Sequence, residues 1–173
     1  ITEGLVGSEM CIRDRWSLVT DLDQAKDNLK QQITSILATL KIKDSVMCLS
    51  DHGNNFRKLV DPTYKGNRKG TRKPVGYVAL ATWLKENYPF LQMQSLEGDD
   101  VIGLMATRPD NKGKVVMVSD DKDLKSVYGK LYRPTTDEQL EISEAEADKF
   151  FLTQTLTGDT ADGYKGLLGV GPK

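Results

Sequence analysis

Apolar residues recur every three or four positions between Asp21 and Lys41, which predicts an amphipathic helix. Shorter helical patterns run from Val75 to Asn87 and from Val101 to Thr107. A fourth helix is predicted to begin at a capping box formed by Ser143 and Glu146 and to end near residue 156, because this pair can satisfy the free N–H groups of a first helical turn. The apolar positions of the first helix are Leu22, Ala25, Leu29, Ile33, Ile36, Leu37 and Leu40.

Short apolar runs between these helices predict strands at residues 45–50, 90–94, 114–119 and 130–133, with one more helical turn near 124–127. The run at 114–119 is the clearest, since Val115, Val116 and Val118 are β-branched. Strands that alternate with helices are typical of a mainly parallel sheet covered on both faces. The fold class is therefore predicted to be α/β. With 38% apolar residues, the chain of 173 residues can build a hydrophobic core.

Acidic residues follow the predicted elements at four places. Because the carboxyl ends of parallel strands meet at one edge of a sheet, these acids are expected to converge there. The four groups are Asp51, then Glu97 with Asp99 and Asp100, then Asp121 with Asp123, then Asp159 with Asp162.

Converging carboxylates repel one another, and hard divalent cations resolve the conflict. No His/Cys cluster supports zinc, so Mg²⁺ is expected, and two such ions about 4 Å apart can promote phosphodiester hydrolysis. Each group alone has a simpler interpretation: a helix-dipole interaction for the triplet, a solvated turn for Asp121 and Asp123, and an ordinary loop for the last pair. The lone His52 is interpreted as a loop residue rather than a general base.

Charge is unevenly distributed, although the whole chain has 24 bases against 25 acids. Residues 57–73 contain seven bases and one acid, and the surrounding segment has two glycines and two prolines. This composition predicts an exposed loop or broken helix that attracts a polyanion, with a plain solvated loop as the alternative.

The cysteines, the apolar runs and the first residues of the chain indicate where the protein acts and where its fold begins. Cys11 and Cys48 offer neither a disulfide framework nor a metal-ligand spacing, and no run of 18 apolar residues or signal peptide is present, so a cytoplasmic protein without membrane contact is expected. Residues 4–15 match neither the periodicity nor the composition of the rest and resemble translated adapter sequence. We therefore expect a non-native leader at 1–15, a core at 16–157 with its basic loop at 56–74, and a further element that begins at 158–173.

Four motifs in order resemble the phage and bacterial 5'-3' exonuclease and flap endonuclease family, most closely the short phage exonucleases. They are YKGNR (64–68), LEGDDVIG (96–103), VSDDKDL (118–124) and GDTADGYKGLLGVGPK (158–173). The resemblance implies a PIN-like core with two Mg²⁺ or Mn²⁺ sites and a helix-three-turn-helix element that grips duplex DNA. It also implies that both ends of the family domain are truncated here, including a first strand that ends in a metal-binding Asp.

By this resemblance, Asp51, Glu97, Asp100 and Asp121 serve the first metal, and Asp123, Asp159 and Asp162 serve the second. Asp99 belongs to the central acidic motif, and Asp120 stands where the family often has Gly, which leaves the choice between Asp120 and Asp121 open. The resemblance also implies that Lys65 and Arg68 are catalytic residues whose positive charges stabilise the phosphate. The implied DNA-binding residues are Tyr64, Lys65, Arg68, Lys69, Arg72, Gly166, Gly169, Gly171 and Lys173, with K⁺ as a monovalent cation at the helix-three-turn-helix.

The predicted function is thus a metal-dependent 5' nuclease that hydrolyses DNA at 5' ends or flaps in phage-type replication or primer removal. RNA–DNA hybrids are a further expected substrate, and a monomer in the host cytoplasm is the expected state. Two alternatives stay open: a PIN-type endoribonuclease, and a nucleic-acid-binding fragment with a dead site.

Overall fold

The computed structural model describes residues 3–7 by their backbone, and residues 22–51, 53, 55–66 and 76–171 in full. In chain order the elements are β1 (Glu3–Gly7), α1 (Leu22–Leu40), β2 (Asp44–Leu49), α2 (Phe56–Val60), α3 (Tyr77–Asn87), β3 (Phe90–Gln92), α4 (Gly98–Thr107), β4 (Val115–Val118), a 3₁₀ helix (Lys122–Ser126), β5 (Gly129–Arg133), β6 (Glu138–Ile142) and α5 (Glu144–Thr157).

The strands form one sheet in the order β3-β2-β1-β4-β5-β6. Neighbouring strands run parallel except β5 and β6, which are antiparallel. From β1 the chain proceeds to β2 and β3 on one side, whereas β4 and the strands that follow lie on the other. In α/β sheets a ligand crevice forms at the carboxyl ends of the strands where the order reverses in this way. The predicted α/β class with a mainly parallel sheet is confirmed.

The segment Glu3–Gly7 lies inside this sheet, as β1. Glu3 is paired with Asp44 of β2 and with Val115 of β4, so the strand is hydrogen-bonded on both edges. Although residues 1–15 were interpreted as a non-native leader, Glu3–Gly7 takes part in the fold. A five-residue strand containing two glycines is too short to show periodicity, and its stability comes from backbone pairing that the sequence pattern does not display. The origin of the segment and the division into 1–15, 16–157 and 158–173 stay predictions.

Buried side chains alternate between the two faces of the sheet. Met47 and Leu49 of β2 pack with α1 and α3, while Cys48 between them packs on the opposite face with α4. Burial raises the pKa of the Cys48 thiol to about 12, so this side chain stays protonated and contributes packing rather than reactivity. The two clusters confirm that helices cover both faces of the sheet, as predicted.

The helix α4 begins at Gly98, three residues before the predicted start at Val101. Glu97 precedes the first turn, and its N–H donates to Asp100 Oδ2 at 2.9 Å. Gly98 N–H donates to Ser50 Oγ at 2.8 Å, and a Cβ at Gly98 would lie 3.0 Å from the carbonyl oxygen of Cys48. This close approach fixes the start of α4 against the end of β2, so that the acidic motif lies at the crevice.

Two elements differ from the sequence-based prediction. Residues 138–142, for which no element was predicted, form the edge strand β6. The helical turn near 124–127 is a 3₁₀ helix that begins earlier, at Lys122. Within the described ranges, no helix combines the length and apolar character required to cross a membrane.

Candidate active site

A pocket of about 240 Å³ opens at the carboxyl edge of the sheet, between the loops after β3 and β4 and the turn after α5. Three basic side chains, Arg57, Lys65 and Lys122, also line it. The carboxylates that face it come from three of the four predicted groups, so the expected convergence of these groups is observed. They are Glu97, Asp99, Asp121, Asp123, Asp159 and Asp162.

Glu97 accepts hydrogen bonds from three different side chains. Lys65 Nζ donates to both of its carboxylate oxygens, at 2.9 and 3.0 Å. Asn55 Nδ2 donates to Oε1 at 2.8 Å, and the Tyr64 hydroxyl donates to Oε2 at 3.0 Å. Asn55 is itself buried and also accepts from the N–H of Arg57, as the N-cap of α2. Glu97 is thereby held in one orientation by groups from the loop before α2 and the turn after it.

Asp100 makes a bidentate ion pair with Arg57, whose two terminal nitrogens each lie 2.6 Å from a carboxylate oxygen. Burial alone would raise the pKa of Asp100. The hydrogen bonds from Arg57 and from the N–H of Glu97, together with the charges of Arg57 and Lys65, outweigh burial and hold this pKa below its ordinary value. Arg57 also lies 4.7 Å from the ring centroid of Phe56, a cation–π distance. Asp100 does not line the pocket; it anchors α2 to the start of α4.

Replacing Arg57 by glutamine should lower the free energy of unfolding at pH 7 by about 2 kcal/mol. The side chains of Arg57 and Asp100 are only 31% and 21% exposed, so the variant leaves a poorly solvated carboxylate without its cation. Urea unfolding measures the loss, with Lys58→Gln on the exposed side of α2 as the control.

The difference between Arg57→Gln and the unaltered chain should shrink as the pH falls. A depressed carboxyl pKa stabilises the fold above the ordinary carboxyl pKa, and this stabilisation is lost as the pH falls through the depressed value. Equal losses at pH 7 and below that value would contradict an ion-pair origin.

Asp123 and Asp159 lie close together in the pocket and share two donors, Lys122 and Gln154. Lys122 Nζ lies 2.8 Å from Asp123 Oδ1 and 2.6 Å from Asp159 Oδ2. Gln154 Nε2 donates to the same two oxygens, at 2.7 and 2.9 Å. The hydrogen bond from Lys122 is the main reason that the pKa of Asp159 lies below its ordinary value.

Asp121 lines the pocket and caps the 3₁₀ helix, accepting from the N–H of Asp123 at 2.9 Å. Asp120 accepts instead from the N–H and hydroxyl of Thr135, at 2.9 and 2.7 Å. This geometry favours Asp121 over Asp120 as a metal ligand. That assignment stays a prediction.

Asp51 has a different environment from the other predicted ligands. Its carboxylate accepts from the N–H of Gly53 at 3.1 Å and from the N–H of Ser95 at 2.9 Å, and it does not line the pocket. Ser95 has a positive φ of 65°, so this hydrogen bond supports a strained turn directly before Glu97.

The turn after α5 completes the pocket by contacting the loop after α2. Lys65 N–H donates to the carbonyl oxygen of Asp162 at 3.3 Å, and the Tyr64 hydroxyl lies 3.3 Å from Asp162 Oδ2. Burial, followed by the neighbouring Glu97 and Asp162 charges, raises the pKa of Tyr64, so its hydroxyl remains a donor. Tyr64 and Lys65 therefore lie beside the acids, and their roles in binding DNA and phosphate stay predictions.

Gly158 and Gly166 bring the two ends of this turn into backbone contact. Both have positive φ angles, of 85° and 66°. A Cβ at Gly158 would lie 2.6 Å from the carbonyl carbon of Lys165, and one at Gly166 would lie 2.6 Å from the carbonyl oxygen of Leu156. Gly169 and Gly171 have nothing within 4 Å of such an added Cβ. Only the first of the three predicted DNA-binding glycines therefore has a packing role in this turn.

The all-oxygen donor set suits Mg²⁺ or Mn²⁺ better than zinc. Within the part of the chain that the structure describes, no three His, Cys, Asp or Glu side chains are arranged to hold a metal ion as they stand. Instead, the ammonium group of Lys122 lies between Asp123 and Asp159, and that of Lys65 contacts both carboxylate oxygens of Glu97. The carboxylates thus have the chemistry to bind a divalent cation. In this structure, lysine ammonium groups neutralise part of their negative charge.

Four predicted residues, Arg68, Lys69, Arg72 and Lys173, lie outside the described residues, as does His52. The structure adds four that were not predicted as site residues: Asn55, Arg57, Lys122 and Gln154. Arg57 and Lys122 could have been found from the sequence, since Arg57 belongs to the basic segment and Lys122 stands between two predicted ligands. Nothing in the sequence pattern indicates that Asn55 and Gln154 belong to the site.

The fold and the pocket define an α/β protein with an acidic, oxygen-donor site at the carboxyl edge of a doubly wound sheet. The family model of the 5'-3' exonuclease N-terminal resolvase-like domain matches residues 22–152. The chain belongs to this family, which confirms the resemblance seen in the motifs.

Relatives agree with this assignment. The chain is 37% identical over 164 residues to the exonuclease of Escherichia phage T7, covering 90% of this chain and 55% of the phage protein. It is 31% identical over 137 residues to the flap endonuclease Xni of Shewanella oneidensis, covering 69% of this chain and 50% of that protein. The chain therefore spans about half the length of these relatives.

Solved structures show the same fold. The T5 5'-exonuclease with bound zinc superposes with a TM-score of 0.76 at 17% identity, over 98% of this chain and 71% of that one. A complex of the T5 D15 flap endonuclease with DNA and metal ions gives a TM-score of 0.75 at 17% identity, over 99% and 71%. The predicted PIN-like fold is thereby confirmed.

Proposed function

We propose that this chain carries the catalytic core of a metal-dependent nuclease that hydrolyses phosphodiester bonds at 5' ends or flaps of DNA. The observation that carries the proposal is the pocket in which six carboxylates meet three bases. Family membership and the names of the relatives support it, because those proteins are called exonuclease, exodeoxyribonuclease and flap endonuclease.

In this proposal the acids divide into two sets, as the family resemblance implied. Glu97 and Asp121 lie at the ends of β3 and β4 and would hold a first Mg²⁺ or Mn²⁺, with Asp51 and Asp100 as the further predicted members of this set. Asp123, Asp159 and Asp162 would hold a second. Divalent cations bound there supply Lewis-acid activation of the scissile phosphate and its attacking water.

The protein's own groups orient this site and bind the phosphate. Arg57 fixes Asp100, and Asn55 and Tyr64 fix Glu97, so the acids keep their positions when the pocket fills. Lys65, with its side chain 24% exposed, can supply positive charge to a phosphate, as proposed for Arg68 as well.

The DNA would be held by the basic segment and the turn after α5. Tyr64 can stack on a base, and Lys69 and Arg72 add charge for the phosphate backbone. Gly166, Gly169, Gly171 and Lys173 belong to the proposed helix-three-turn-helix, with K⁺ as its cation. The proposal also includes RNA–DNA hybrids as a substrate. The protein would act as a monomer in the host cytoplasm.

Cleavage of a 5'-labelled DNA flap tests it directly. We expect cleavage with Mg²⁺ or Mn²⁺ and none with EDTA, because the acids repel one another and the phosphate when no divalent cation is bound. Faster cleavage of single-stranded RNA would identify an endoribonuclease instead. Flap binding without cleavage, at equal strength with and without EDTA, would identify a binding module.

A further inference from the structure

Lys122 occupies the position of a cation between two proposed ligands of one metal. Its ammonium nitrogen is within hydrogen-bond distance of one oxygen of Asp123 and one oxygen of Asp159, at 2.8 and 2.6 Å. The amide nitrogen of Gln154 reaches the same two oxygens. Two carboxylates from different segments are thus joined by one charged donor and one neutral donor.

The two donors do different work. Only Lys122 brings a positive charge, so it alone offsets the repulsion between Asp123 and Asp159. Gln154 brings two N–H donors on a planar amide, which can fix the relative orientation of the carboxylates but cannot neutralise them. Charge compensation and alignment therefore reside in separate side chains.

Of the three basic side chains that line the pocket, Lys122 is the one that can most easily be displaced from it. Its side chain is 51% exposed, and lysine carries its charge on a flexible four-carbon stem. The side chain of Lys65 is 24% exposed, and the Lys65 backbone is bonded to Asp162. The side chain of Asp159 is only 10% exposed, so it remains in place when the lysine moves.

We propose that Lys122 is a displaceable counter-ion: a divalent cation replaces its ammonium group between Asp123 and Asp159, while Gln154 keeps the two carboxylates aligned. This inference rests on the proposed function, because it assigns both acids to a metal site. Lys122 thereby lowers the affinity of the pocket for divalent cations and keeps the metal-free pocket from opening by charge repulsion. It acts as a positioning residue.

Calorimetric titration with Mn²⁺ in the absence of DNA tests this inference. Lys122→Gln should bind Mn²⁺ about tenfold more tightly than the unaltered chain, because it removes a positive charge from the position that the cation takes. Lys122→Arg should bind more weakly, since a guanidinium fork holds two carboxylate oxygens more firmly than an ammonium does. Lys125→Gln, on the same 3₁₀ helix but outside the pocket lining, should match the unaltered chain.

Thermal unfolding gives a second measurement. In EDTA, Lys122→Gln should unfold at a lower temperature than Lys125→Gln. Added Mn²⁺ should raise the unfolding midpoint of Lys122→Gln by more than that of Lys125→Gln, because a ligand that binds the folded state more tightly stabilises it more. If Lys122→Gln does not fold, the direction of the Lys122→Arg effect decides, and tighter binding by that variant would overturn the inference.

The outcomes separate the two proposals. Mn²⁺ binding by the unaltered chain, with equal or weaker binding by Lys122→Gln, overturns the counter-ion role and leaves the nuclease assignment in place. Binding by neither protein overturns both. Binding by Lys122→Gln alone supports the inference in its strongest form.

Discussion

Replacing Glu97 by glutamine is expected to lower Mg²⁺-dependent cleavage of a DNA flap by more than about a hundredfold, since even groups one shell away from a metal commonly account for 10- to 100-fold. Glu97 accepts from Asn55, Tyr64 and Lys65 at once. The amide of glutamine has one acceptor oxygen and adds two donors, so it cannot satisfy these three groups or bring negative charge to a metal.

The matched control for this prediction is Glu86→Gln, the same chemical change on the exposed side of α3. Initial rates of cleavage and Mn²⁺ affinity should both be measured. We expect both to fall in Glu97→Gln and neither to change in Glu86→Gln. A Glu97→Gln protein that cleaved at the unaltered rate would exclude this acid from the reaction.

Alanine at Gly166 should weaken Mn²⁺ binding and flap cleavage by about 10- to 100-fold without unfolding the sheet. Its Cβ would lie within 3.0 Å of backbone atoms of Leu156, Thr157 and Gly158. Backbone cannot rotate away as a side chain can, so the turn must shift, and it carries both Asp159 and Asp162. Circular dichroism should show unchanged secondary structure.

Gly169 provides a control for the backbone conformation itself. Its φ of 81° is similar to the 66° of Gly166, but an added Cβ would have nothing within 4 Å. Gly169→Ala therefore has the same left-handed strain without the collision, and we expect metal binding within about threefold of the unaltered chain, a loss of no more than about 0.7 kcal/mol. Equal losses in the two variants would mean that strain, rather than packing at Gly158, is responsible.

The fold could be predicted wherever burial leaves a periodic pattern. The helix from Leu22 to Leu40 and the strand from Val115 to Val118 were predicted within two residues at each end, because each buries a regular face. The strand β6 could not be predicted, since Glu138–Ile142 has only two apolar residues among polar and charged ones and gains its structure by pairing with β5. The strand β1 was not predicted for the same reason, because its pairing on both edges depends on segments that are distant in the sequence.

The site was predictable in its acids and not in the groups that hold them. Carboxylates that follow strand ends are visible in a sequence, and six of them do line one pocket. The donors to those acids come from distant residues: Asn55 donates to Glu97 and Gln154 donates to Asp123. A neutral amide carries no local signal of such a role, since only the fold decides which carboxylate it meets. Asp51 followed the pattern as well, yet its oxygens bond backbone N–H groups in a turn.

The turn from Gly158 to Gly166 follows the whole sheet in chain order, and this affects when the site forms during synthesis. During synthesis the N-terminal parts of a chain emerge first and can fold while translation continues. The sheet and both of its hydrophobic clusters draw on residues up to Ile142, so they can form before Asp159 and Asp162 leave the ribosome. A nascent chain that has reached only α5 is therefore folded but has a pocket open on one side. The order of residues along the chain thus delays the completed site until the protein around it has formed.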